Sequence, residues 1–233
     1  MLTRIFFTLG LTLLATTAQA QDTAISVHVS ADGGAGVELT TQLTDNFNAR
    51  FSYHQTNFRY TDPSDLVKYV NPITHPAGPM RSNSYYDHHF KQKIGSVTVD
   101  WYTDPESQFH YSFGLSHNDL QDNIVGHEAL WGGGYDIGNA VYTATQVGKL
   151  QGVIRSNRFA PYLGCGWGNP VLKRKQWGFI ADAGLIFQGK PDITLTANST
   201  VLPADLEEEK SRLFGPSVAP LNLLLSVGVS YQW

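Results

Sequence analysis

The sequence predicts an all-β fold: an eight-stranded antiparallel up-and-down β-barrel that crosses a membrane. First, Leu221, Leu223, Leu225, Val227, Val229, Tyr231 and Trp233 alternate with Asn222, Ser226, Gly228, Ser230 and Gln232, with Leu224 the one exception. A period of two marks a strand with one apolar and one polar face. Its length exceeds the ordinary strand of about 5–6 residues and suits a tilted bilayer crossing of roughly 9–11. Second, residues 1–20, MLTRIFFTLGLTLLATTAQA, carry a basic Arg4, an apolar run from Ile5 to Ala15 and a small-x-small Ala18-Gln19-Ala20. That is the pattern of a Sec-type signal peptide. Third, no later run of about 18 apolar residues offers a transmembrane helix, so a membrane-embedded chain would have to close into a barrel to satisfy its backbone. The expected organisation is a signal peptide over 1–20 and one barrel domain over 21–233, exported to a bacterial outer membrane.

The segments follow in order. Ile25–Ala31 and Gly36–Leu43 alternate about Asp32-Gly33-Gly34, so the expected start is a short hairpin, with one long kinked strand as the alternative. After Thr44-Asp45-Asn46 come Phe47–Tyr60, then a Pro-rich stretch to Asn83. Ser84–Tyr102 and Phe109–Gln121 flank a short turn at Pro105. A Gly-rich stretch, 122–149, precedes Val153–Gly168; Pro170 marks the next turn, before Trp177–Gly189. A third long stretch, 190–219, holds PADLEEEKSRLF, where Leu202, Leu206 and Leu213 fit a helical face. Eight strands with short and long connections in alternation predict periplasmic turns and long extracellular loops.

With the odd positions facing lipid, Val37, Leu39, Tyr53, Val97, Phe113, Leu163, Phe179 and Leu185 form an outer belt. Trp101, Trp167, Trp177, Tyr231 and Trp233 fall at the periplasmic ends, where an aromatic girdle belongs. The even positions then put Glu38, Arg50, His54, Asp100, His110 and Asp182 inside. Eight strands leave an interior just wide enough for side chains to fill, so Glu38, Arg50, Asp100 and Asp182 predict an internal ionic network, with a narrow gated path as the alternative. A soluble barrel would reverse the two faces; the export signal, the girdle and the loop asymmetry favour the membrane.

Composition agrees: 22 Gly, 11 Tyr, 12 Phe and 5 Trp suit tightly packed, aromatic-girdled strands. The single Cys165 excludes an internal disulfide, and a formal charge of −4 gives no sign of a nucleic-acid partner.

The stretch PYLGCGWGN (Pro161–Asn169), followed by Trp177–Ala197, the charged insert Ala204–Leu213 and Leu223–Trp233, resembles a family of small Gram-negative outer-membrane barrel proteins, porin-like or uncharacterised. YTATQVGKLQG (Tyr142–Gly152) is similar to a loop motif of the same family. Cys165 stands where an aliphatic residue is usual, and Trp233 where Phe is commonest. The resemblance implies the barrel fold, the outer-membrane location, and recognition of Tyr231-x-Trp233 by the barrel-assembly machinery. It implies no defined activity. A structural, adhesive or small-solute passage role is the expectation, with OmpW-like passage of small hydrophobic molecules as an alternative.

For chemistry, His88 and His89, with Asp87, and His117 with Ser116 and Asp119, predict polar clusters near one rim. They would suit a Ser/His/acid site acting on outer-leaflet lipid, such as lipid A acylation or deacylation. Solvated rim polarity is the stronger expectation, so no enzyme, metal or cofactor is assigned. Lys91, Lys93, Arg155 and Arg158 offer partners for lipopolysaccharide phosphates. The oligomeric state is not set by any feature of the sequence.

Overall fold

The computed structural model describes residues 22–61, 85–128, 134–138, 140–172, 177–198, 200–214 and 221–233. The expected signal peptide and most of the Pro-rich stretch lie outside them. The elements are β1 (Thr23–Ser30), β2 (Ala35–Thr44), β3 (Phe47–Thr61), β4 (Tyr85–Tyr102), β5 (Phe109–His127), β6 (Tyr135–Ile137), β7 (Ala140–Tyr142), α1 (Ala144–Val147), β8 (Leu150–Trp167), β9 (Trp177–Ile186), β10 (Asp192–Thr196), α2 (Pro203–Phe214) and β11 (Asn222–Gln232). Eight strands, β1–β5, β8, β9 and β11, form a closed antiparallel ring, sealed by β1 against β11 and β8 against β9. Closure joins the first strand to the last, and β9 meets β8 over Ala181–Ile186, which is how a barrel satisfies its backbone in a membrane. No described helix is long and apolar enough to cross a membrane.

The first hairpin is two strands, with Val27 opposite Val37. It turns at Ala31–Gly34, where Gly33 takes φ +78° and the Ser30 amide donates to the Gly34 carbonyl at 3.0 Å. Strand direction then puts Thr61, Tyr85, His127, Leu150, Ile186 and Asn222, with this hairpin, at one end of the ring, here the loop end. Residues 45–46, 103–108 and 168–172 lie at the other, the turn end.

The wall is uneven. β4, β5 and β8 run 18, 19 and 18 residues, whereas β1, β2, β9 and β11 run 8, 10, 10 and 11. β5 therefore extends well past the Gln121 expected from the sequence. Toward the turn end, odd positions face out and are apolar: Val27, Val37, Val97, Phe113, Leu163, Phe179 and Leu223 are all exposed. Even positions face in and are polar: Thr40, Asn48, Arg50, Thr98, Asp100 and Ser112 are buried. An outward apolar band around a polar interior is the arrangement that lipid demands.

Toward the loop end the faces exchange roles. Lys91, Lys93, Asp119 and Gln121 now point out, while Tyr86, Ile124 and Leu150 point in and are buried. β10 adds to the edge of β8, with Thr194 opposite Val153. The β6–β7 hairpin, α1 and α2 settle on the inward face to build a second core: Tyr86, Ile124, Tyr135, Ile137, Tyr142, Val147, Leu150 and Val201. The helix expected at PADLEEEKSRLF is present, and of the leucines expected on its buried face Leu206 packs there. Leu202 is exposed, while Leu206 and the fully buried Glu209 face the cap core.

Candidate functional site: a filled lumen and its cap

Arg50, on β3, sits in the middle of the barrel with all five of its N–H donors used. Nη1 reaches Asp182 at 2.8 Å and Glu38 at 3.4 Å; Nη2 reaches Asp100 at 2.9 Å and the Ser112 hydroxyl at 2.7 Å; Nε reaches Thr98 at 3.4 Å. Ser112 in turn donates to Asp100 at 2.7 Å, and His110 contacts Asp182 at 3.1 Å. Acids from β2, β4 and β9 thus converge on one guanidinium, and the four residues that parity places inside form one cluster. Arg50 and Asp100 are 6% and 1% exposed, so little of the cluster is open to water.

The PYLGCGWGN stretch has a packing explanation. Tyr162 points inward, and a Cβ at Gly184 or Gly164 would collide with its ring or hydroxyl; one at Gly166 would strike Asp182 and His110. These glycines make room for lumen side chains. The turn that follows folds under the barrel. Gly168 takes φ +118°, and its carbonyl accepts from the Tyr102 hydroxyl at 3.1 Å. Asn169 accepts from Asn48 across the mouth at 3.2 Å, and Pro170 and Val171 are buried. The turn expected at Pro170 is thus packed against the barrel mouth; the basic residues 173–175 lie outside the described residues.

On the loop-end side of Arg50 an apolar layer follows, made of Ile94, Ala160, Tyr162 and Ile186. Next comes a polar shelf, where Gln92 donates to Asn118 at 2.9 Å and Asn118 to Gln188. The cap closes over this shelf. Glu209 accepts from the Tyr86 hydroxyl at 2.7 Å and from the Gly138 amide at 3.0 Å, tying α2 to the wall and to the hairpin turn. Gly138 takes φ +60°, and a Cβ there would strike the Asp205 backbone. Tyr142 donates to Asp205, a bond that holds its hydroxyl above the usual tyrosine range. YTATQVGKLQG is therefore the corner of the cap: Thr143 and Gln146 form a reciprocal capping box, and Val147 and Leu150 are buried.

At the first hairpin a Ser, a His and an Asp meet that sequence reasoning did not join. Asp32 accepts from Ser30, from Thr56 at 2.8 Å and from the Gly34 amide at 3.1 Å. His54 Nε2 lies 3.1 Å from Ser30 and 3.4 Å from Asp32, and its ring stacks on His28 at 5.7 Å. A hydrolytic relay needs the serine on one ring nitrogen and the acid on the other. Here both contact Nε2, and Nδ1 is buried without a partner. The cluster fixes the turn; it is not arranged to activate a nucleophile.

The expected rim candidates do not converge. Ser116 faces inward and bonds Ser96 at 2.7 Å. His117 faces outward, 2.9 Å from Asn157. His88 points inward to Asp122 at 2.8 Å, eight residues along β4 from Ser96, or about 26 Å of strand. Asp87 pairs with His127 at 2.8 Å, on the outer surface. Among the described residues, no group of three or more His, Cys, Asp or Glu is arranged to hold a metal. Trp101, Trp167, Trp177 and Trp233 are all exposed at the turn end, and Trp177 packs on Tyr231 at 5.0 Å.

A closed eight-stranded ring with an apolar outside and a polar inside defines a class, the membrane β-barrel. Solved structures narrow it. Acinetobacter baumannii CarO2 superposes with a TM-score of 0.59 at 16% identity, over 92% of this chain and 100% of that one. CarO of the same organism gives 0.58 at 17%, over 90% and 97%. A major outer membrane protein of Thermus thermophilus gives 0.50 at 12%, over 92% and 100%. No family model matches the chain, and no curated protein sequence does. The chain has the fold of the outer-membrane β-barrel proteins, as its PYLGCGWGN and Tyr142–Gly152 motifs imply.

Proposed function

We propose that this chain is an outer-membrane barrel with a filled lumen, serving as a surface scaffold whose role is carried by the loop end and its folded cap. The loop end faces the exterior, and the C-terminal Tyr231-x-Trp233 is read by the barrel-assembly machinery. The observation that carries this reading is the Arg50 cluster, flanked by the Asn169–Val171 turn on one side and by Ile94, Tyr162 and the cap on the other. Such stacking favours a scaffold over small-solute passage. The closed ring of paired strands, sealed by β1 with β11 and β8 with β9, disfavours lateral passage at membrane level. We read the barrel as non-enzymatic, because Ser116, His117 and His88 face apart and the Ser30–His54–Asp32 contacts share one nitrogen.

Two measurements test this. Protein from isolated outer membranes should run faster on a gel before boiling than after; recovery in the soluble periplasm would overturn the location. Purified barrel in a planar bilayer should give no discrete conductance steps at a concentration where an open porin gives many. Regular steps from the unmodified chain would establish passage and reject the filled scaffold.

A further inference from the structure

The outer surface of β3 and β4 carries an ordered sequence of chemistry. Paired across the two strands, from the belt toward the loop end, the outward rungs are Phe51 and Val97, Tyr53 and Gly95, Gln55 and Lys93, Asn57 and Lys91, Arg59 and His89. Each rung is two residues, about 6.6–6.8 Å, from the next. Apolar side chains give way to an aromatic, then to two rungs that each pair an amide with a lysine, then to Arg59 beside His89. Gly95 leaves open space on this face, since a Cβ there would meet nothing within 4 Å.

Arg59, Lys91 and Lys93 are exposed, and among the described residues none of them enters a salt bridge. The acids that approach them are committed or misplaced. Asp119 lies opposite Lys93 without an ion pair, and Asp87 is held by Thr61 at 2.6 Å and His127 at 2.8 Å. His89 contacts Asn57 at 3.1 Å. Of the other cations expected to share this role, Arg158 differs in pairing with Asp192 at 3.5 Å, while Arg155 continues the Lys91 rung two strands along, beyond Gln121. Unneutralised like charges on neighbouring strands are unfavourable unless an anion joins them.

We infer that Arg59, Lys91 and Lys93 bind the phosphates of an outer-leaflet glycolipid, whose acyl chains lie on Phe51, Tyr53 and Val97. The vertical order of the surface matches the order of such a lipid, with chains below, sugar at the aromatic rung and phosphate above. Clustered cations recognise phosphate by charge-assisted hydrogen bonds. This rests on the outer-membrane location with the loop end outward, but not on whether the lumen conducts.

The test uses purified, folded barrel in detergent and two probes: lipid A bearing its phosphates, and the same lipid A with them removed. Binding is read by native mass spectrometry over a salt series. Unmodified protein should retain phosphorylated lipid A at least tenfold more tightly than the dephosphorylated form, with affinity falling as salt rises. R59Q/K91Q/K93Q should erase that preference, and R158Q, which removes a cation already paired with Asp192, should keep it. Millimolar inorganic phosphate should compete weakly, because the chains contribute. Equal retention of both lipids by the unmodified barrel, or an undiminished preference in the triple variant, would overturn the proposal. Full competition by inorganic phosphate would overturn the lipid as occupant. The unboiled gel shift confirms that each variant is folded, and the single K91Q, expected to lose part of the preference, substitutes if the triple variant is not.

Discussion

The molecule has two cores, built by the same strands and opposite in character. Near the turn end, β4 and β5 send Thr98, Asp100 and Ser112 inward, around Arg50. Near the loop end they send Tyr86 and Ile124 inward, into an apolar cluster with Leu150. What changes is the solvent outside. Where Val97 and Phe113 meet lipid, the apolar side chains are spent on the exterior and the interior is left to polar groups. Where Lys91 and Gln121 meet water, the ordinary hydrophobic rule returns. The exchange falls at the Ile94–Asn118 rung, which on this view marks the edge of the bilayer.

The largest effect should come from the polar core. Arg50→Met removes the guanidinium that three buried acids share, and breaking a buried ionic cluster on one side costs roughly 3–5 kcal/mol. The variant should show a large drop in urea midpoint, or no folded band before boiling. Leu150→Ala tests the apolar core. It should cost about 3 kcal/mol locally, opening Tyr135–Leu150 to proteolysis while the barrel band stays heat-modifiable. If both substitutions unfolded the whole chain together, the cores would be one cooperative unit and the comparison would fail.

A third pair of variants probes the outside of a single strand. Phe113→Arg places a charge in the apolar band and should cost about 2–3 kcal/mol. Val125→Arg, also outward on β5 but beyond the exchange, should change stability by less than about 0.5 kcal/mol. Equal penalties would mean that the membrane boundary is not at Ile94–Asn118.

The same contrast explains what the sequence could reveal. Alternation states that two faces differ, and the short turns keep parity in step around the ring, so Glu38, Arg50, Asp100 and Asp182 could be placed together from position alone. Alternation does not state which face meets lipid at a given height. Ile124 and Leu150 keep the even parity of Asp100, and nothing local announces that their surroundings have changed; the cap core was illegible for that reason. PADLEEEKSRLF showed its helical period, yet Glu209 lies at its buried centre, where a charged residue gives no sign of burial. Asp32 reads as an ordinary turn residue, because its partners His54 and Thr56 lie more than twenty positions away.

That turn supplies the smallest test. Asp32 stands at the loop end, outside both cores. Burial opposes its ionisation, but hydrogen bonds from Ser30, Thr56 and the Gly34 amide outweigh it and hold the carboxyl below its usual value. A lowered folded pKa means that the bonds contribute stability above the unfolded value of about 3.9 and lose it as pH falls through the lower, folded one. The Gly34 amide resonance should therefore titrate with a midpoint below about 3.9, and Asp32→Asn should abolish that transition with little effect on urea midpoint at pH 7. Since neither the Arg50 cluster nor the cap contacts Asp32, the cap resonances of Tyr135–Leu150 should not follow this midpoint; if they did, the hairpin and the cap would be coupled across the short side of the wall.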